Sequence, residues 1–110
     1  MRRVIVESPY AGDVEANVEY ARAALHDCLI RGEAPFASHL LYTQPGVLDD
    51  SIPDERLDGI YVGLTWADVA DAVVVYTDRG ISDGMQYGIT RHEIAGRAVE
   101  YRSLGVKGKD

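Results

Sequence analysis

The sequence predicts an α/β chain, a small three-layer sandwich of about four parallel strands with helices on both faces. Three observations predict it. Val73-Val74-Val75, within Ala70–Tyr76, is a continuous β-branched run between a helical segment and a turn, as in a central strand covered on both faces. Residues 13–31 carry one apolar stripe at steps of three and four, the period of a helix. Strand-like and helix-like segments alternate along the chain, and such alternation belongs to parallel sheets joined by crossover helices.

Each element follows from local signals. Val4-Ile5-Val6 reads as a first buried strand. It stops at Glu7-Ser8-Pro9-Tyr10-Ala11-Gly12-Asp13, a loop marked by Pro and Gly, with Asp13 placed to cap the next helix. That helix runs from Asp13 to about Arg31, with Val14, Val18, Ala21, Leu25, Cys28 and Leu29 as its stripe and Gly32 as its stop. Ala34-Pro35-Phe36-Ala37 reads as a second short strand. Residues 38–51 read as a long loop with one helical turn at His39-Leu40-Leu41, and loops of this length are often functional. A second long helix runs from Pro53 to about Val69. Pro53 suits a first turn, and Asp54 and Glu55 suit the positive end of the dipole. Leu57, Ile60, Tyr61 and Leu64 are its expected buried stripe, while Gly59 and Gly63 would permit close packing. After the Val strand and a polar loop, a third helix starts at Asp83 or Gly84 and ends at Ala95-Gly96. Ala98–Arg102 alternates and reads as the last strand. Residues 1–104 read as a single domain and 105–110 as a flexible tail.

The chain has 110 residues, enough for one domain, and its 46% hydrophobic and 26% charged residues are ordinary for a globular fold. Eleven Lys plus Arg against 18 Asp plus Glu leave a net charge of -7, and no basic run exceeds Arg2-Arg3. Nucleic-acid polymers and anionic membranes are therefore poor partners, since both are bound by displacing counterions with a basic face. A small anion remains admissible, because helix starts bind one through backbone N–H groups. The one cysteine, Cys28, excludes an intrachain disulfide framework and falls on an apolar helix face, as a core thiol would. The N-terminal apolar run is too short for a signal segment, and nothing approaches a membrane span of roughly 20 residues. The expected location is the cytoplasm. Seven of the nine aromatic residues are Tyr, which offers a flat face and a hydroxyl for half-buried sites.

Right-handed crossovers place the carboxyl ends of all strands on one edge, and ligands in such sheets sit there, where the strand order reverses. The loop after the first strand brings Ser8, Pro9, Tyr10, Gly12 and Asp13 to that edge. The loop after the Val strand brings Asp78, Ser82, Asp83, Gly84 and Met85, and His39 could add a wall. Ser82-Asp83-Gly84-Met85 opens a helix, where free N–H groups can hold phosphate or carboxylate; the plainer role is a cap. Tyr10 could stack on a flat ring or simply pack on the neighbouring helix. Asp78 could accept from sugar hydroxyls or be an exposed turn residue. Asp71 falls at the opposite edge and reads as structural. No GxGxxG, P-loop or GxSxG motif occurs. His26 and His92 fall on helices, and no His or Cys stands at ligand spacing from His39, so neither a metal nor a cofactor is expected.

Ala70-Asp71-Ala72-Val73-Val74-Val75, then Asp78, then Gly84-Met85-Gln86-Tyr87-Gly88 resembles the nucleoside 2-deoxyribosyltransferase-like superfamily, most of all its small uncharacterised phage and bacterial members. Ser8-Pro9 before Gly12-Asp13, Tyr42-Thr43-Gln44 with Leu48-Asp49-Asp50, and Gly80-Ile81-Ser82-Asp83-Gly84-Met85 before Val99-Glu100-Tyr101-Arg102 extend the resemblance over about residues 3–104. It implies a Rossmann-like fold that binds a deoxynucleoside or its monophosphate, and assembly into a homo-oligomer, a dimer or larger. Tyr61 and Trp66 are the candidate contacts. It also implies deoxyribosyl transfer or N-glycosidic hydrolysis, with a Glu attacking the anomeric carbon, an Asp orienting the sugar and a first-loop Tyr positioning the nucleophile. By position the Tyr is Tyr10 and the Asp is Asp78 or Asp83. The Glu position is Gly88, which carries no side chain. Glu7 and Asp13 lie nearer the mouth of the site but do not match the motif, and Glu93 is turned away along the helix. The expected function is thus binding, sequestration or sensing of a nucleoside or nucleotide without that nucleophile. The alternative is an N-glycosidase or deoxyribosyltransferase acting on deoxynucleoside monophosphates or deoxynucleosides through another acid.

Overall fold

A computed structural model of the chain describes residues 1–105. The expected tail lies, from residue 106 on, outside the described residues. Strands β1 (Arg3–Glu7), β2 (Ala34–Phe36), β3 (Ala72–Tyr76) and β4 (Val99–Arg102) form one sheet in the order β2-β1-β3-β4. Every neighbouring pair is parallel. Helices α1 (Val14–Ile30), α2 (Ser38–Leu41), α3 (Pro53–Ala67) and α4 (Asp83–Ile94) make the crossovers. This is the expected α/β sandwich. The Val strand and the last strand each start later than the sequence reading placed them, at Ala72 and Val99.

Side chains alternate across a strand, so each central strand feeds two cores. Val4, Val6, Val74 and Tyr76 pack with Ala24 and Cys28 of α1 on one face. Ile5, Val73 and Val75 pack with Ala67 of α3 and Met85 and Ile89 of α4 on the other. All five residues of β3 are buried, which explains its β-branched run.

The helix ends obey the local signals. The Asp13 side chain caps α1 by accepting from the Ala16 N–H at 3.3 Å, and Ser82 caps α4 by accepting from the Met85 N–H at 3.2 Å. Gly32, just past α1, takes φ +79°, a left-handed turn that ends the helix. The buried faces depart from the apolar stripes. On α1 the buried residues are Asn17, Ala21, Ala24 and Cys28, while Val14 and Leu29 are exposed. On α3 they are Gly63 and Ala67, while Leu57 and Tyr61 are exposed. Small residues lie at the contacts because the layers approach closely. A Cβ on Gly63 would lie 2.7 Å from Ser38 Oγ, so that glycine is what lets α2 lie on α3; Gly59 has only ordinary contact with Leu48. Trp66 is half-exposed, with its ring against Phe36 at 5.7 Å and its N–H donating to the Tyr42 hydroxyl at 3.0 Å. Among the described residues no helix is long and apolar enough to cross a membrane.

Candidate functional site

The chain leaves β1 toward one edge of the sheet and β3 toward the other, so the carboxyl ends of these strands form the switch point. A cavity of about 110 Å³ opens there. Its walls bring together Ser8 and Tyr10 from the first loop, His39 from α2, and Ser82, Gly84 and Met85 from the start of α4. A wider, shallower groove of about 720 Å³ adjoins it and shares Tyr10, Asp50 and Arg56; Gly12 lines this groove.

The remaining expected site residues lie outside the cavity lining. Pro9 is buried, Asp13 caps α1, and Asp83 is exposed in the first turn of α4. Asp78 is taken up by protein partners. Its carboxylate accepts from the Tyr20 hydroxyl at 2.6 Å, the Leu104 N–H at 2.9 Å and the Ser103 hydroxyl. Burial acts to raise the Asp78 carboxyl, yet the hydroxyls of Ser103 and Tyr20 outweigh it and hold the group below its ordinary range. Asp78 thus ties the end of β3 to α1 and to the segment after β4. Asp71 accepts from the Arg3 N–H at 2.7 Å, a structural role at the opposite edge.

Four cavity residues carry chemistry the sequence reading did not assign to the site: Glu7, Asp50, Arg56 and His92. Glu7 ends β1 on the same side as Ile5, facing α4. On α4, Met85, Gly88, Ile89 and His92 are buried at helical spacing. A Cβ on Gly88 would lie 2.7 Å from Glu7 Oε2, so the absent side chain is the space the Glu7 carboxylate fills. His92, only 1% exposed, holds that carboxylate through Nε2 at 3.0 Å from Oε2. Arg97 Nη1 lies 3.1 Å from His92 Nδ1. A guanidinium can only donate, so Nδ1 is the acceptor and Nε2 carries the proton given to Glu7. Asp68 in turn pairs with Arg97.

Arg56 donates from Nη1 to Asp50 Oδ2 at 2.8 Å, and its Nη2 lies 2.9 Å from where a Cβ on Gly84 would stand. The glycine therefore lets a guanidinium approach the start of α4. His39 is half-buried as a residue, but its ring is desolvated and burial pushes it down to about 4, so the imidazole is neutral at pH 7. Its Nε2 lies 2.7 Å from Ser8 Oγ. Asn17, buried in α1, braces the edge: its amide donates to the carbonyls of Tyr10 and Ala11 at 3.0 and 3.1 Å, and its oxygen accepts from Arg79 at 2.9 Å. One side chain thus joins the two loops that frame the site. Periodicity gave no hint of it, because a polar residue on the buried face breaks the apolar stripe.

A solved structure of a 2-deoxyribosyltransferase from the psychrotolerant bacterium Bacillus psychrosaccharolyticus superposes with a TM-score of 0.70 at 15% identity, covering 98% of this chain and 77% of that one. At that identity the likeness is one of fold, a distant relationship between two α/β sandwiches. No curated protein matches the sequence. One family model does, over residues 2–102, and by that match the chain belongs to the family described as a domain of unknown function, DUF7768.

Proposed function

We propose that this protein binds a small molecule of nucleoside or nucleotide type at the carboxyl edge of its sheet. The observation that carries the reading is the cavity at the switch point between β1 and β3, where Ser8, Tyr10, His39 and the start of α4 converge. At about 110 Å³ it is smaller than the roughly 300–1,000 Å³ of a drug-sized pocket, so it takes a compact part of the ligand, of the size of a sugar ring. The adjoining groove takes the rest, with Tyr10 at the junction as a stacking face. Arg56 beside the start of α4 suits an anionic substituent. The fold neighbour is named as a 2-deoxyribosyltransferase, which agrees with a nucleoside as the ligand class.

Titration calorimetry against the deoxynucleosides and their 5′-monophosphates tests this. Saturable binding is expected, weakened by Tyr10→Ala. Failure of the folded protein to bind any of them overturns the reading.

A further inference from the structure

We propose that Ser8 and His39 form a nucleophile–base dyad, and that the protein hydrolyses esters of short carboxylic acids with acidic alcohols or phenols. The inference goes beyond the ligand reading above and does not need it. Ser8 is the first residue after β1 and His39 lies on α2, and both line the cavity. Ser8 Oγ stands 2.7 Å from His39 Nε2, the reach required between a nucleophile and its base. Neither side chain makes another hydrogen bond among the described residues, so nothing in the protein competes for the contact. No buried side-chain nitrogen or oxygen among them lacks a partner, so His39 Nδ1 is reached by water. The tautomer with its N–H at Nδ1 is thus open to the ring, and in it Nε2 accepts from the Ser8 hydroxyl. Ser8 is 4% exposed, and burial pushes the His39 ring down to about 4, which makes it the free base at pH 7. Desolvating an imidazole costs free energy that an apolar wall at the same place would not. The cavity around the pair supplies the other parts of an acyl-transfer site. Ile5, Ile60, Leu64 and Met85 give an apolar lining for a short acyl chain. Arg56 can only donate, and Gly84 brings the start of α4 to the cavity, where helix N–H groups have no partner within the helix.

The chemistry follows from that arrangement. Ser8 Oγ attacks the ester carbonyl carbon, a carbon–oxygen bond forms, and the hydroxyl proton passes to His39 Nε2. The carbonyl oxygen takes up the electron pair as an oxyanion, which Arg56 and the start of α4 stabilise. The carbonyl re-forms, the bond to the alcohol oxygen breaks, and that oxygen leaves with its electron pair and the proton from His39. Water then attacks the acyl carbon and gives a proton to His39. The bond to Ser8 Oγ breaks, and Oγ takes that proton back. The net reaction is ester plus water to carboxylic acid plus alcohol, with no oxidant or cofactor. A base as weak as His39 gives little help to a poor leaving group, which is why the substrate class is esters of acidic alcohols and phenols.

The test incubates the wild-type chain, Ser8→Ala and His39→Gln with 4-nitrophenyl acetate. Nitrophenolate is followed by absorbance, acid-quenched protein by mass spectrometry, and the fold of each variant by circular dichroism. The wild type is expected to release many equivalents of nitrophenolate per chain and to carry an acetyl group on the peptide containing Ser8. Ser8→Ala should fall to the solution rate, and His39→Gln should lose a factor of about 10²–10⁴. Should either variant fail to fold, the adduct on the wild-type chain decides: on Ser8 it supports the inference, and its absence or its presence elsewhere alone overturns it. Release that stops at one equivalent per chain, or that survives in a folded Ser8→Ala or His39→Gln, overturns the inference. None of these outcomes touches the ligand reading, which stands or falls on calorimetry with the deoxynucleosides and their monophosphates.

Discussion

Glu7 and Gly88 are far apart in sequence and occupy one volume in space, so each constrains the other. Placing a methyl group on residue 88 sets two effects against each other. Ala in place of Gly favours a helix by about 1 kcal/mol. The same methyl would stand 2.7 Å from Glu7 Oε2 and push the carboxylate off His92. A hydrogen bond to a charged group is worth about 1.5–3 kcal/mol, so Gly88→Ala is expected to lose about 1 kcal/mol net, read as a lower urea midpoint. The His92 ring signals in NMR should move with it; unchanged signals and a raised midpoint would mean that the carboxylate does not rest on Gly88. The sequence held part of this. Gly88 was recognisable as a position without a nucleophile, and Glu7 as an acid near the mouth. What was not legible is that they meet, because the contact joins the end of the first strand to the last helix. Strand alternation was the usable signal: Glu7 shares a face with Ile5, and Ile5 packs with Met85 and Ile89 of α4.

At the scale of elements, strands, helices and caps follow from hydrophobic period and turn residues, and their order yields the parallel sheet. The buried faces of the helices do not follow, because Ala21, Ala24, Gly63 and Ala67 lie at the contacts while larger residues such as Leu57 and Tyr61 face outward. Composition alone ranks those residues the wrong way round. The face that α1 covers also has an ionic part that hydrophobic period cannot reveal. Arg102 at the end of β4 gives two hydrogen bonds of 2.7 Å to Glu33, and both side chains are 8% exposed. Glu33 also accepts from Arg2 at 3.0 Å, and Glu100 pairs with both arginines. The Tyr76 hydroxyl, which donates to Asp27 at 2.7 Å, lies 3.4 Å from Arg102 and extends the network to α1. Here the edge strand β4 is tied to the segment between α1 and β2 by charge, and to α1 itself through the Tyr76 hydroxyl. Without Arg102 the Glu33 carboxylate keeps only Arg2, so Arg102→Ala is expected to cost about 1.5–3 kcal/mol, the worth of hydrogen bonds to a charged group. Denaturant unfolding checks it, and a loss below about 1 kcal/mol, the worth of an exposed pair, would show the network to be surface decoration.

For the whole molecule, the titrating groups predict how stability depends on pH. His39 is pushed by burial from 6.5 down to about 4. Between those values the unfolded chain binds a proton that the native state does not, so stability falls as pH falls through the window. The contribution is complete above about pH 6.5, declines toward pH 4 and amounts to at most about 3 kcal/mol. Among the described residues the acids that share a cavity with His39 are otherwise engaged: Glu7 with His92, Asp50 with Arg56 and Glu55 with the Asp49 N–H, and the close partner of His39 is the Ser8 hydroxyl. A second stage follows at lower pH. Glu33, held down by its hydrogen bond from Arg102, and Glu100, held down by Arg2, stabilise the fold while ionised and lose that effect as pH falls through their lowered values. The two stages are separable. His39→Gln keeps a polar group beside Ser8 but cannot take up the proton, so it should flatten the first stage and leave the second. Urea midpoints measured from about pH 7.5 down to 3 would show this, and equal slopes for variant and wild type above pH 4 would mean that His39 is not desolvated. The same titration reaches the site, because His39 lines the cavity beside Ser8 and its ring is desolvated there. Ligand binding is therefore expected to weaken over the window in which the first stage of stability is lost, and to do so less in His39→Gln.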